Sequence, residues 1–87
     1  MDSNVLRAYC QLLLTRIDTM ELVAFNFRGH ILRHIILLDF MQLRPENVQG
    51  HLGIRNAMRR LDRMDATMGE FVAQLHQQRG IITSLMV

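Results

Sequence analysis

From Leu6 onward, apolar positions recur at alternating steps of four and three. They are Leu6, Cys10, Leu13, Ile17, Met20, Ala24, Phe27, Ile31, His34, Leu38 and Met41. A heptad spacing held over five repeats predicts a helix that packs along its length. Apolar residues also fall outside the stripe: Leu12, Leu14, Leu22, Val23, Phe25, Leu32, Ile35, Ile36, Leu37 and Phe40. A two-stranded coiled coil would leave many of these in water. A helix that is apolar on most sides is buried on most sides, so the first half reads as the inner helix of a bundle. The densest part is residues 31–41, ILRHIILLDFM, with eight apolar residues in eleven. Each of those side chains contributes about 1.5–3 kcal/mol if fully covered.

Asp2, Ser3 and Asn4 are good N-cap types standing just before the first apolar residue. They predict a helix over about 4–43. Gly29 leaves two readings open within it, because glycine costs about 1 kcal/mol relative to alanine inside a helix. The helix is either continuous or kinked there, or it ends near Phe27 and a new one starts at His30. Arg44-Pro45-Glu46-Asn47 marks a turn, since the residue before proline is driven away from helical angles. Pro45 then suits the first turn of a following helix, with Glu46 near its positive end.

Gly50 and Gly53 weaken the start of that second helix, which is expected from about 47 or 52 to 79. Ile54, Ala57, Met58, Leu61, Met64, Met68, Phe71, Val72 and Leu75 form its apolar stripe. Arg55, Arg59, Asp62, Arg63, Glu70 and Gln74 form its polar side. Asp65 falls within the stripe and needs a partner if covered. Gly80 reads as the C-terminal stop, leaving residues 80–87 as a short apolar tail. The fold class is therefore all-α: one domain, a helical hairpin or three helices if Gly29 breaks the first. Two such hairpins make an antiparallel four-helix bundle. The expected oligomer core is Leu13, Ile17, Met20, Phe27, Ile31, Leu38, Met41, Leu61, Met68 and Leu75.

Composition strengthens the expectation of an assembly. The chain has 87 residues, 49% of them hydrophobic. A chain this short buries only about 60% of its unfolded surface. That is a poor home for so much apolar material, and a homodimer or an obligate protein partner is the expected remedy. One cysteine, Cys10, allows no intrachain disulfide. With no basic region after Met1, this suggests an intracellular, soluble protein in a reducing compartment. The longest apolar run is interrupted by Arg33, His34 and Asp39, so integral membrane insertion is not expected. A peripheral encounter of that run with lipid is a weaker reading.

Charge adds a second feature. The net charge is +2, and all ten Lys-plus-Arg positions are arginine. Residues 28–63 carry +4 (seven arginines against three acids), while residues 1–27 and 64–87 each carry −1. In a hairpin bent at Pro45, the bend half is basic. Arg55, Arg59, Arg60 and Arg63, with Arg44 at the turn, form a candidate site for an acidic partner or a nucleic-acid backbone. A solvated face with local ion pairs, such as Arg59 with Asp62, is the plain alternative. No stacking platform or sequence-reading motif accompanies these arginines, so nucleic acid would be read by shape and backbone, as in duplex RNA or DNA.

His30 and His34 are four apart, but no third ligand is placed to complete a metal site, so none is expected. No nucleophile motif, carboxylate pair or phosphate loop appears. Neither an enzyme nor a cofactor is expected. Met58, Met64 and Met68 read as core filling or as an adaptable groove. The leading functional expectation is a small interaction or regulatory protein working through protein-protein contacts as a homo-oligomer. A helical nucleic-acid binder is the alternative.

Overall fold

A computed structural model describes residues 3–87 of the chain. Asp2, one of the three capping candidates, lies outside the described residues. Two long helices, α1 (Ser3–Leu43) and α2 (His51–Leu85), are joined by a 3-10 turn, Pro45–Gly50. No strand occurs among the described residues. The helices fold back on each other as a hairpin 67 Å long and about 15 Å across.

Gly29 does not break α1, which runs unbroken through it. The glycine penalty is about 1 kcal/mol, small beside the packing that a 41-residue helix makes along its length. Arg44, the residue before Pro45, is extended at φ −81°, ψ 128° and ends α1. The turn then satisfies the carbonyls at the end of α1. The Arg44 amide donates to Met41 O at 3.3 Å. The Asn47 side-chain amide donates to the same oxygen at 2.9 Å.

Gly80 is not a stop. α2 continues through it to Leu85, and the residues read as a tail are its last turns. A C-terminal glycine cap needs positive φ, and no described glycine adopts it. Packing explains the extension: Ile82 is buried with Cys10, Ile17 and Leu75, flanked by Leu14 and Met86. Ending the helix at 79 would remove Ile82 from that cluster.

The seam between the helices keeps the heptad period but uses a different half of it. In α1 the buried positions are Cys10, Ile17, Ala24 and Ile31, and the half-buried ones beside them are Leu14, Glu21, Arg28, Ile35, Leu38 and Gln42. The expected stripe shares Cys10, Ile17, Ala24, Ile31 and Leu38. Its other members, Leu6, Leu13, Met20, Phe27, His34 and Met41, lie one residue before the true second row and remain exposed on the flank. In α2 the seam is Ile54, Met58, Leu61, Asp65, Met68, Val72, Leu75, Arg79, Ile82 and Met86, again in steps of four and three. Charged residues sit at the second row because each finds a partner across the hairpin.

At Gly29 and Gly80 an added Cβ meets no atom within 4 Å, and neither glycine has positive φ. Gly29→Ala and Gly80→Ala should each stabilise the helix by about 0.5–1 kcal/mol. For a chain of this size that is a rise in Tm of roughly 2–8 °C, readable by circular dichroism. A fall in Tm would show that another chain packs against the helix at that position.

Candidate functional site

The two sides of the hairpin differ in chemistry. On one side, charged side chains bridge α1 and α2. Arg28 and Asp65 form a two-pronged pair, Nε to Oδ1 at 2.8 Å and NH2 to Oδ2 at 3.2 Å. Nearer the open end, Arg79 donates to Asp18 and approaches Glu21 at 3.3 Å. His76 lies 3.7 Å from Glu21. These contacts answer the need of Asp65 for a partner. They also set the helix register, since sliding α2 by one turn would separate every pair.

Hydrogen bonding from Arg28 holds the Asp65 carboxyl below the ordinary carboxylate range, against a smaller opposing effect of burial. Hydrogen bonding to Asp65 raises Arg28 in turn. Arg79 is likewise raised, chiefly by its hydrogen bond to Asp18.

On the opposite side, the flank of the seam is apolar in both helices. From α1 come Leu6, Leu13, Met20, Phe27 and Met41; from α2 come Met64, Phe71 and Leu85. All of them remain at least one-third exposed. Phe27, Met64 and Met68 line one shallow groove there with Thr67 and the stem of Arg63. Tyr9, Val23 and Leu37 lie further round α1, in the row next to this flank, and are more exposed still. The two rows form the apolar side of α1, interrupted by Arg16 and His30 in the outer row and by His34 in the inner one. Residues 31–41 contribute Leu37 and Met41 to it, while Ile31 is buried in the hairpin.

The ten residues expected in an oligomer core thus divide. Ile17, Ile31 and Leu75 are buried within the hairpin, and Leu38, Leu61 and Met68 are half-buried in the same seam. Leu13, Met20, Phe27 and Met41 stay outside it on the apolar side.

The arginines are also sorted. Arg55, Arg59, Arg60 and Arg63 are all exposed on two turns of α2. Arg59, Arg60 and Arg63 line a shallow depression with Asn56 and Asp62. Among the described residues none of these four arginines forms an ion pair. The Arg59–Asp62 pair is therefore not made. Arg44 stands apart at the bend, 3.5 Å from Glu46. The arginine face occupies the outer surface of α2.

His34 contacts its own helix. Its Nδ1 lies 2.8 Å from the His30 carbonyl oxygen, one turn earlier on the same helix. Cys10 is buried between the helices. No described helix is long and apolar enough to cross a membrane.

The sidedness was not visible along the chain, because it depends on which row of α1 meets which row of α2. The signal that carries it is charge: Glu21 and Arg28 stand seven apart on α1, and Asp65 and Arg79 fourteen apart on α2. Two charged rows at heptad spacing mark the edge where the helices face each other. No family model matches this chain, and neither a curated protein nor a solved structure gives a significant match.

Because the folded state favours ionised Asp65, its contribution to stability is full above the unfolded carboxylate range. It is lost as pH falls through the lowered folded value. Asp65→Asn should therefore lower Tm at neutral pH, with the gap from the unmodified protein closing on acidification. A gap that stays constant into strong acid would show that the Arg28 pair does not contribute.

Proposed function

We propose that this protein is a small helical interaction protein that works through protein-protein contacts as a homodimer, two hairpins forming an antiparallel helical bundle. The observation that supports this reading is the amount of apolar surface the hairpin leaves uncovered. Among the described residues, seven are buried: Cys10, Ile17, Ala24, Ile31, Ile54, Leu75 and Ile82. By contrast Phe25 is 73% exposed, Phe40 63% and Leu37 62%. The chain exposes 6866 Å² in all. A compact monomer of 10.2 kDa exposes about 5,300 Å² by the usual scaling of surface with mass. The surplus of about 1,500 Å² exceeds the roughly 800 Å² that each partner gives to a standard protein interface. The radius of gyration is 19.8 Å, where a compact domain of this length has about 12 Å. Large contiguous apolar surfaces on soluble chains mark places where another surface docks.

Light scattering at micromolar concentration should give the mass of a dimer, and a stable, well-folded monomer would refute the reading. Leu38→Asp places a charge in the half-buried seam of α1 and should abolish folding or assembly. Unchanged melting and mass in that variant would show that Leu38 is outside the core.

A second reading is favoured by the four arginines that no acidic side chain neutralises: a helical binder of duplex RNA or DNA through backbone and shape. Guanidinium groups at 55, 59, 60 and 63 offer bidentate donors to phosphates. Binding of this kind weakens steeply with salt. Arg59→Ala with Arg63→Ala should lower both the affinity for duplex and the slope of its salt dependence; an unchanged slope would remove these residues from any such contact.

A further inference from the structure

We infer that the second copy docks on the apolar side of the hairpin, turned end for end, so that α1 of one copy lies along α1 of the other. This rests on the homodimer reading above and specifies its face and orientation. Three observations carry it.

The first is the extent of the face. Leu6, Leu13, Met20, Phe27 and Met41 run the length of α1, interrupted by His34, with Met64, Phe71 and Leu85 beside them on α2. The opposite side of the seam also exposes Leu22 and Phe25, but there they border Asp18, Glu21 and Arg28, which pair with Arg79 and Asp65. Docking there would desolvate charges that are already paired. A side 67 Å long and 15 Å wide offers about 1,000 Å², where a stable interface needs about 800 Å² from each partner.

The second observation is the unequal share of apolar residues. A two-fold axis in the interface permits two arrangements of hairpin on hairpin. With the axis along the rod, the bends lie side by side and α1 covers α2 of the other copy. With the axis across the rod, bend meets open end and α1 covers α1. In both, facing helices run antiparallel, so helix dipoles do not choose between them. Apolar content does. α2 offers Ala57, Met64, Phe71 and Leu85 at its flank with Gln78 among them, whereas α1 adds the outer row Tyr9, Val23 and Leu37. Crossing α1 with α1 lays the richer surface on its equal. With full overlap, Met20 of one copy meets Phe27 of the other, and Leu6 meets Met41.

The third observation is charge. The bend half, residues 28–63, carries +4, while the described residues of the open half, 3–27 and 64–87, together carry −1. Bend beside bend would set +4 against +4. End-for-end packing sets each basic bend beside the weakly acidic open half of its partner. Arg55 and Arg59 stay free in this arrangement, while Arg63, whose stem lines the groove of Phe27 and Met64, and Arg60, beside Ala57, lie at the rim of the interface.

The test uses fluorescent labels at Gln49→Cys in the turn and at Ser84→Cys near the open end, each in a Cys10→Ala background. Donor-labelled 49 mixed with acceptor-labelled 84 should give energy transfer several-fold higher than donor-49 mixed with acceptor-49. In the dimer the two bends are separated by most of the 67 Å rod. Strong transfer between two 49 labels and weak transfer from 49 to 84 would overturn the orientation while leaving the homodimer intact. No transfer in either mixture, together with a monomer's mass by light scattering, would overturn the homodimer reading itself. A second pair of variants tests the face. Phe27→Gln with Met64→Gln should lower Tm and raise the protein concentration needed to reach the dimer's mass, while Leu22→Gln with Phe25→Gln, on the ion-paired side, should change neither. The reverse result would place the interface on the other side.

Discussion

One helix cannot cover another all the way round. α2 covers a single stripe of α1, and α1 has more apolar residues than that stripe contains. The hairpin takes Cys10, Ile17, Ala24 and Ile31 out of water. It leaves Leu13, Met20 and Phe27 on one flank, Phe25 on the other, and Leu37 and Phe40 further round. Each uncovered side chain forgoes part of the 1.5–3 kcal/mol or so that full burial supplies. The elongated shape and the uncovered apolar surface follow from this mismatch between one apolar helix and one amphipathic one.

Charge decides how the mismatch is arranged in space. Were both flanks of the seam apolar, α2 would have little reason to prefer one phase over another. The Arg28–Asp65 pair and the Arg79 contacts put charged residues on one flank and so leave the other apolar. The pairs are partly exposed, and each such pair contributes little net stability. Their role is register: they fix which rows face each other, and thereby which surface is left over. Of the four unpaired arginines of α2, Arg63 borders the apolar flank with its stem, and all four leave their charged groups exposed. Arg55 and Arg59 are free to meet an anion whether or not the apolar side is covered.

The all-helical fold and its turn were legible because heptad spacing and Pro45 are local signals. So was the need of Asp65 for a partner, since an acid within an apolar stripe is a local anomaly. Two features were not legible. Gly80 looked like a stop because glycine is a common cap, but Ile82 sits at the next seam position and its contact with Cys10 is 72 residues away in the chain. The stripe on α1 was read half a row out of phase, through Leu13, Met20 and Phe27 in place of Leu14, Glu21 and Arg28. A helix apolar on most sides supports several heptad stripes at once, and an apolar count favours the wrong one when the true row contains a glutamate and an arginine. The exposed arginine face of α2 was legible only as a charge gradient along the rod.

The central claim is that the hairpin is half of a folded unit whose second half is another copy of itself. The concentration dependence of thermal unfolding tests this most directly, since coupling of folding to self-association makes Tm rise with protein concentration. Over a hundredfold range, from low micromolar upward, Tm should increase steadily. A sharp, reversible transition at the same Tm across that range would contradict the claim, because it would show a hairpin that is stable alone with its apolar side in water.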